Sequence, residues 1–265
     1  MSRRRDMERI QADEEQERII FEMPFIAPQP YTGKPIKTFI ISFNRLSFLK
    51  QQLEYLMKNP ALDLHIVDNG STYPPLLDYL DELDLDVTFF PANEGHTVVW
   101  KNKMPEIFCK NEPYIVTDND IIPDHPNFHE LLIEGLNKHS DVNKIGLGLH
   151  IDDLPDNIPF KDEIIQHEKG IQKIYLLDDS HFVRMPVDTT LAIYRDGYHH
   201  YSVWGTDKIT HDGQCRALRT IHPLWQAKHL SWYLTPEDLK SEENKYYFNS
   251  IKQPSTHWSE KQKYI

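Results

Sequence analysis

The middle of the chain alternates short apolar, β-branched runs with longer stretches in which apolar positions recur at helical spacing. Nearly continuous apolar strands joined by helices are typical of a parallel sheet that helices cover on both faces. The pattern therefore predicts an open, mostly parallel α/β sheet that begins near Ile36. The predicted strands are 38–43, 64–67, 87–90 and 114–117, and the predicted helical stretches are 46–58, 75–83, 97–109 and 128–139.

The pattern loosens on both sides of this region. A further strand is predicted at 144–150, and beyond it scattered prolines and mixed strands at 187–194 and 215–221 indicate an irregular α+β half. At the start, residues 2–21 alternate basic and acidic positions, which is typical of a solvated helix, of an extension that orders on docking, or of a plain tail. We therefore expect three regions: an extension and Pro-rich linker at 1–35, a sheet-forming half at 36–150, and a second half of the same domain at 151–265.

The composition of the chain limits which ligands and partners it can bind. The chain has 29 Lys and Arg against 41 Asp and Glu, a formal net charge of −12, so we expect no nucleic-acid partner. An anionic ligand would need a local source of positive charge, such as a bound cation or a helix N-terminus. With two cysteines, Cys109 and Cys215, and no apolar run near the roughly 20 residues of a membrane span, we expect a soluble, cytoplasmic protein in a reducing compartment.

Polar clusters follow each of the first four predicted strands. Ligands of open parallel sheets bind outside the carboxyl ends of the strands, so these clusters are candidate site residues. Each cluster alone would be interpreted as an ordinary turn, because Asn, Asp, Gly and Ser are the usual turn residues. Their shared position at one edge predicts a ligand site. The clusters are Asn44–Arg45, Asp68–Asn69–Gly70–Ser71, Asn93–Glu94–Gly95–His96 and Asp118–Asn119–Asp120.

The cluster with the clearest chemistry is Asp118–Asn119–Asp120. Two carboxylates two positions apart on an extended segment can point to the same side and hold a hard divalent cation that keeps free positions for phosphate oxygens. Such an ion would supply the positive charge that this acidic chain lacks. The sequence has neither the P-loop pattern nor Gly-x-Gly-x-x-Gly, which disfavours P-loop hydrolases and Rossmann dehydrogenases.

Taken in order, these motifs resemble those of the nucleotide-sugar glycosyltransferases of the GT-A fold, and among them glycosyltransferase family 2. The resemblance covers 36–150 and implies a GT-A-like, Rossmann-like sheet, a nucleoside-diphosphate sugar donor linked to UDP or GDP, and a bridging Mn²⁺ or Mg²⁺ ion. The matching segments are Thr38–Arg45 with the leucine-rich helix that follows it, His65–Thr72, Asn93–Gly95 and Tyr114–Asp120.

The resemblance also implies roles for single residues. Asp68 would contact the nucleoside, Asn44 and Arg45 would line its pocket, and Asp118 and Asp120 would hold the ion between ribose and diphosphate. The half at 36–150 would bind the donor and the half at 151–265 the acceptor. The remaining donor-side candidates are Ser42, Asn69, Asn93, Gly95, His96 and Asn119.

The second half departs from the family pattern, because the Glu-Asp pair that usually carries the catalytic base is missing from its expected region. Asp188 is the first candidate for a carboxylate that faces the acceptor, and Asp207 is the second. Both have an alternative as turn residues that hydrogen-bond locally. Without an assigned base, inversion and retention at the anomeric carbon both stay open.

The resemblance to GT-A enzymes also implies a late histidine as a third contact to the metal or diphosphate. His229 is the first choice, and His222, which precedes a proline, is the competitor. For either one, a packed and hydrogen-bonded core histidine is the alternative. Trp232 and Tyr233 either stack on a sugar or fill the core.

These observations predict a metal-dependent glycosyltransferase of polysaccharide biosynthesis that acts on a hydroxyl of a glycan or lipid-linked glycan. A lipid-linked acceptor would place it at the membrane face without a spanning segment. The alternatives are a catalytically silent module that binds nucleotide sugar or glycan, and a sugar nucleotidyltransferase. The latter predicts a Gly-rich loop after the first strand, where the sequence has Ser42–Leu46 without glycine.

Overall fold

The computed structural model describes residues 27–172, 181–187, 190–195 and 216–250. The charged segment 2–21, Asp188, Asp207 and Cys215 lie outside these ranges. In chain order, the described strands are β1 (Ile36–Ser42), β2 (Leu62–Asp68), β3 (Asp86–Phe89), β4 (Tyr114–Asp118), β5 (Ile121–Pro123), β6 (Lys144–Gly146), β7 (Gly148–Leu149), β8 (Phe182–Arg184), β9 (Leu191–Tyr194), β10 (Ala217–Thr220) and β11 (Gln226–His229).

The α-helices connect these strands and follow the last one. In chain order, the helices of the described ranges are α1 (Leu46–Leu56), α2 (Pro74–Asp81), α3 (Val98–Lys101), α4 (Met104–Phe108), α5 (Phe128–Lys138), α6 (Lys161–Gln172) and α7 (Glu242–Ser250). No helix in the part of the chain that the structure describes has the length and apolar character needed to cross a membrane.

The central sheet, as far as the described residues define it, has eight strands in the order β3-β2-β1-β4-β9-β6-β10-β8. The first four run parallel to one another. β9 lies antiparallel between β4 and β6, and β10 runs parallel to β6. A small second sheet has the order β5-β11-β7. The predicted open, mostly parallel α/β sheet is confirmed, and strands from both halves of the chain share it.

Helices cover both faces of the sheet. Ile40 on β1 belongs to one apolar cluster with Leu53 of α1 and Leu132 of α5. The neighbouring Phe39 belongs to a second cluster with Val99 of α3. Since adjacent residues of a strand point to opposite faces, the continuous apolar runs of the sequence fill two layers of core.

Two predicted elements are each divided in the structure. The strand expected at 144–150 is split at Leu147, whose N–H donates to the carbonyl of Leu191, so β6 and β7 join different sheets. A Cβ on Gly148 would lie 2.5 Å from the Thr220 carbonyl oxygen, so glycine permits this close crossing. The helix expected at 97–109 is broken at Lys103, whose φ is +54°.

Candidate functional site

The carboxyl ends of three neighbouring strands form the rim of the site. Because β2, β1 and β4 are adjacent and parallel, Ser42 pairs with Asp68 in register, and Ile41 pairs with Asp118. The candidate carboxylates therefore follow strand ends that lie side by side, as the sequence predicted for this edge.

Asn44 joins the loop after β1 to the loop after β2. Its φ of +51° is left-handed, a conformation that asparagine tolerates better than most residues. Its Oδ1 accepts hydrogen bonds from the N–H groups of Thr72 (2.6 Å) and Tyr73 (2.9 Å), the residues just before α2. Its Nδ2 lies 3.2 Å from the Ser250 Oγ at the end of α7. The side chain thus braces the rim, and its role in lining a nucleoside pocket stays a prediction.

Asp68 ends β2 as a buried carboxylate. Its Oδ2 accepts a hydrogen bond from the Ser71 N–H at 3.1 Å, while its Oδ1 is buried with no hydrogen-bond partner. Burial raises the pKa of Asp68, although the hydrogen bonds from Ser71 and Gly70 act in the opposite direction. A buried oxygen without a donor is expensive, so this carboxylate suits a ligand that donates a hydrogen bond.

Asn69 connects the rim to the loop after β3. Its Nδ2 donates to Asn93 Oδ1 and to the Gly95 carbonyl, both at 3.1 Å, and its Oδ1 accepts from the Glu94 N–H at 2.9 Å. Asn93, Gly95 and His96 are exposed on this loop. The structure therefore brings this cluster beside the Asp68 turn.

Asp118 and Asp120 lie on either side of the β4 end. Asp118 is half-buried, and its carbonyl accepts a hydrogen bond from Gln52 of α1 at 2.8 Å. Asp120 is buried, and its Oδ1 has no hydrogen-bond partner. Its Oδ2 lies 3.9 Å from Nη1 of Arg45 and 3.4 Å from Nδ1 of His229. The positive charge of Arg45 therefore partly compensates the negative charge of the two carboxylates, and Asp120 Oδ1 stays available for a ligand.

Arg45 is enclosed by aromatic rings at the rim. Its Cζ lies 3.7 Å from the ring centroid of Tyr247 and 5.0 Å from that of Phe48, and its Nε is buried without a partner. Its carbonyl accepts a hydrogen bond from Asn119 Nδ2 at 3.3 Å, and the same amide nitrogen lies 3.4 Å from the Ser42 Oγ. Asn119, which also contacts Ser42, therefore fixes the backbone of Arg45.

Tyr247 of α7 is a site residue that the sequence predictions missed. Burial raises the pKa of Tyr247, the charges of Asp120 and Asp118 act in the same direction, and the Arg45 guanidinium opposes them. The ring therefore contacts the arginine and is within electrostatic range of both carboxylates. No sequence signal places it there, since about 200 residues separate Tyr247 from Arg45 and its helix is largely polar.

His229 reaches the rim through the small sheet. Pairing of β11 with β5 sets His229 opposite Ile121, next to Asp120. Its Nδ1 lies 2.9 Å from the Ser231 Oγ, and its ring stacks on Trp232 with centroids 4.8 Å apart. The competitor His222 accepts a hydrogen bond from the Leu224 N–H at 3.2 Å, so it caps a 3₁₀ turn.

The metal prediction can be tested against these residues. Within the described ranges, no group of three or more His, Cys, Asp and Glu side chains is arranged to hold a metal ion. Mg²⁺-type ions bound with substrate phosphates need only one or two protein carboxylates. Asp118 and Asp120, with the unpartnered Asp120 Oδ1, fit that requirement. His229 as a third ligand stays a prediction.

The acceptor side is less defined. Asp188 and Asp207 lie outside the described residues, so their roles stay predictions. Val187, which precedes Asp188, is buried, and its carbonyl accepts a hydrogen bond from the buried Lys144 ammonium. Of the two aromatic candidates, Trp232 is buried, and the Tyr233 hydroxyl donates to Asp153.

The solved structures to which this chain is similar include enzymes of nucleotide sugars. A mannosyltransferase from Pyrobaculum calidifontis, in complex with GDP-Man and Mn²⁺, is 15% identical with a TM-score of 0.49, over 81% of this chain and 62% of that one. Glucosyl-3-phosphoglycerate synthase from Mycobacterium tuberculosis, with Mn²⁺ and UDP-glucose, is 14% identical with a TM-score of 0.40, over 66% of this chain and 64% of that one. A CMP:2-keto-3-deoxy-manno-octonic acid synthetase, in complex with CTP, is 13% identical with a TM-score of 0.32, over 44% and 53%.

These likenesses concern the fold. The chain spans less than two thirds of the length of each of the three structures. Their TM-scores lie below 0.5, so the resemblance to GT-A glycosyltransferases stays a prediction from the sequence motifs. No family model matches the chain, and no curated protein matches it in sequence.

Proposed function

We propose that this protein is a metal-dependent glycosyltransferase. It moves a sugar from a nucleoside-diphosphate sugar, linked to UDP or GDP, to a hydroxyl of a glycan or lipid-linked glycan. The observation that carries the proposal is the Asp118/Asp120 pair at the end of β4, beside a buried arginine and with an unpartnered carboxylate oxygen. GDP-Man or UDP-glucose together with Mn²⁺ in two structures of similar fold makes these donors the first to test.

The donor half would bind and orient the activated sugar. Asp118 and Asp120 would hold Mn²⁺ or Mg²⁺, which when bound offsets the negative charge of the departing diphosphate. Arg45 would add a fixed positive charge on the same side, and Asp68 would accept a hydrogen bond from the nucleoside. Fixed groups of this kind stabilise the leaving group without reorganising during the reaction.

The reaction itself exchanges one bond at the anomeric carbon for another. The acceptor oxygen forms a bond to that carbon while the bond to the diphosphate oxygen breaks, and the diphosphate leaves with the bonding electrons. In the inverting version, a carboxylate takes the proton of the acceptor hydroxyl, and Asp188 is our first candidate, with Asp207 second. The acceptor would be bound by the half at 151–265.

Donor hydrolysis and transfer give the direct test. The wild type is incubated with GDP-mannose or UDP-glucose, Mn²⁺ and a pool of glycan acceptors, and the release of nucleoside diphosphate is followed. We expect Mn²⁺-dependent release that Asp118→Asn/Asp120→Asn abolishes. The matched control is Asp124→Asn, which lies four residues after Asp120 and removes a carboxylate that pairs with His150. Equal release by the double variant would contradict the proposal.

The Asp188 role has its own readout. We expect Asp188→Asn to reduce the turnover rate severely while the donor affinity stays near that of the wild type. Loss of donor affinity instead would assign Asp188 to the donor pocket. A chain that binds donor but shows neither hydrolysis nor transfer with any acceptor would be the silent binding module.

A further inference from the structure

Arg45 is unusual because its buried charge is only partly matched. Its side chain is 3% exposed, and the Asp120 carboxylate is 3.9 Å from Nη1, longer than a direct hydrogen bond. Its Nε and the Asp120 Oδ1 both lack a partner. Burying a guanidinium costs free energy unless its N–H groups are satisfied, so a purely structural arginine would be expected to have a closer acceptor.

The aromatic rings around Arg45 constrain its orientation without using its donors. A guanidinium carries all five N–H donors in its plane, and an aromatic ring attracts it through its face. Tyr247, with its ring centroid 3.7 Å from Cζ, covers that face, and Phe48 and Phe248 lie at 5.0 and 5.7 Å. Stacking thus restricts the plane of the guanidinium and leaves its edge for an anion.

The edge of Arg45 faces Asp120, one member of the carboxylate pair. Nη1 lies 3.9 Å from the Asp120 carboxylate, and Asp118, two residues earlier, is only half-buried, so this end of β4 is open to a ligand. A diphosphate held there by a cation would bring negative oxygens next to the arginine edge, which matches the geometry of planar N–H donors.

We propose that Tyr247 is a positioning residue, whose ring holds the Arg45 guanidinium so that its N–H edge binds the diphosphate of the donor. This inference rests on the proposed function, because it assigns the anion as part of a nucleoside-diphosphate sugar. It also assigns different roles to the adjacent tyrosines of α7, Tyr246 and Tyr247. Tyr246 packs against Tyr73 at a tilted angle, with centroids 5.1 Å apart, rather than against the arginine, and so provides a matched control.

The test measures binding of the diphosphate part of the donor separately from binding of its nucleoside. Binding of pyrophosphate, a nucleoside diphosphate and the free nucleoside is measured by calorimetry, with Mn²⁺ and with chelator. We expect Tyr247→Met to weaken the binding of pyrophosphate and of nucleoside diphosphate about tenfold. This corresponds to the loss of one well-placed charged hydrogen bond. Binding of the nucleoside should not change. Tyr247→Phe, which keeps the ring, should bind like the wild type, and so should Tyr246→Met.

Several results would overturn the inference. Equal losses for nucleoside and diphosphate, unchanged binding in Tyr247→Met, or the same loss in Tyr246→Met would each do so. Arg45→Lys keeps the charge but not the planar edge, and it should lose pyrophosphate affinity to a similar degree; unchanged affinity would contradict the proposal even if Tyr247→Met fails to fold. Binding of pyrophosphate but of no nucleoside diphosphate by the wild type would contradict the proposed function and leave the role of Tyr247 standing. A wild type that binds neither would overturn both.

Discussion

At the scale of single residues, two glycines of the rim loops share a left-handed backbone but differ in their surroundings. Gly70, with φ +76°, follows the Asp68 turn, and a Cβ there would lie 2.4 Å from the backbone carbonyl carbon of Ala92. Gly95 has φ +84°, and a Cβ there would meet nothing within 4 Å. The first glycine is needed for conformation and space, the second for conformation alone.

Alanine at these two positions should therefore have unequal effects. We expect Gly95→Ala to lower the free energy of unfolding by about 1 kcal/mol, the cost of a left-handed alanine. Gly70→Ala should cost at least about 1–3 kcal/mol more, because backbone atoms must move. Urea unfolding of both variants measures the difference, and equal losses would contradict the close approach at Gly70.

A second residue-scale prediction concerns pH. His150 Nε2 is hydrogen-bonded to Asp124, and this bond raises the pKa of His150 against the effect of burial; the charges of Asp124, Asp153 and Asp152 add to the rise. A raised folded pKa means that the stabilisation is complete below the unfolded value of about 6.5 and is lost as pH rises through the folded pKa.

The expected signature is a stability difference that depends on pH. Compared with His150→Gln, the wild type should gain up to about 1 kcal/mol at about pH 5.5, and this gain should shrink towards about pH 9, since the pair is partly exposed. Denaturant unfolding across this range measures it. A difference that stays constant with pH would show that the bond does not depend on the charge of the imidazole.

At the scale of elements, α7 closes the rim through contacts with α1 and with the loops after β1 and β2. Its Glu243 carboxylate accepts hydrogen bonds from the N–H of Ser47 (2.7 Å) and from the Ser47 hydroxyl, in the first turn of α1. A carboxylate from one helix thus satisfies a free N–H at the start of another, where the helix dipole also favours it. Phe248 and Phe48 belong to a small apolar cluster separate from the main core.

Removing this contact should loosen α7. We expect Glu243→Ala to lower the free energy of unfolding by about 0.5–2 kcal/mol, the usual value of a helix cap. The control is Glu242→Ala, which removes an exposed carboxylate next to it and should change stability by less than about 0.5 kcal/mol. Equal losses in thermal or urea unfolding would show that the Ser47 contact does not matter.

The elements also show how far the sequence could predict the fold. β1, β2, β3 and β4, with α1, α2 and α5, were predicted because a two-sided core leaves continuous apolar strands and periodic helices in the sequence. β5 and β7 are three and two residues long, too short to leave a pattern. α6 and α7 were missed because their sequences, KDEIIQHEKGIQ and EENKYYFNS, are largely polar.

The same limit applies to the site. Asp68, Asp118 and Asp120 could be predicted because their position after buried strands already places them at one edge. The contact of Tyr247 with Arg45 could not, since it depends on how a late helix packs. The bracing role of Asn44, whose amide atoms engage the loop after β2 and the end of α7, likewise became visible only in the structure.

At the scale of the whole molecule, the central question is how an acidic protein would bind the anionic donor that we propose. The net charge is −12, yet three carboxylates gather at the rim near one buried arginine. Binding a divalent cation there would offset their charge and create a site for diphosphate oxygens. The account therefore predicts that nucleotide binding depends on the cation and on the Asp118/Asp120 pair.

The most direct measurement of this claim is calorimetric titration of a panel of nucleoside diphosphates and their sugars, with Mn²⁺ and with chelator. It is made on the wild type, on Asp118→Asn/Asp120→Asn and on the control Asp124→Asn. We predict that one nucleotide class binds in the presence of Mn²⁺, that chelator and the double variant abolish this binding, and that the control retains it. Absence of binding to every member of the panel under both conditions, or equal binding by the double variant, would contradict the account.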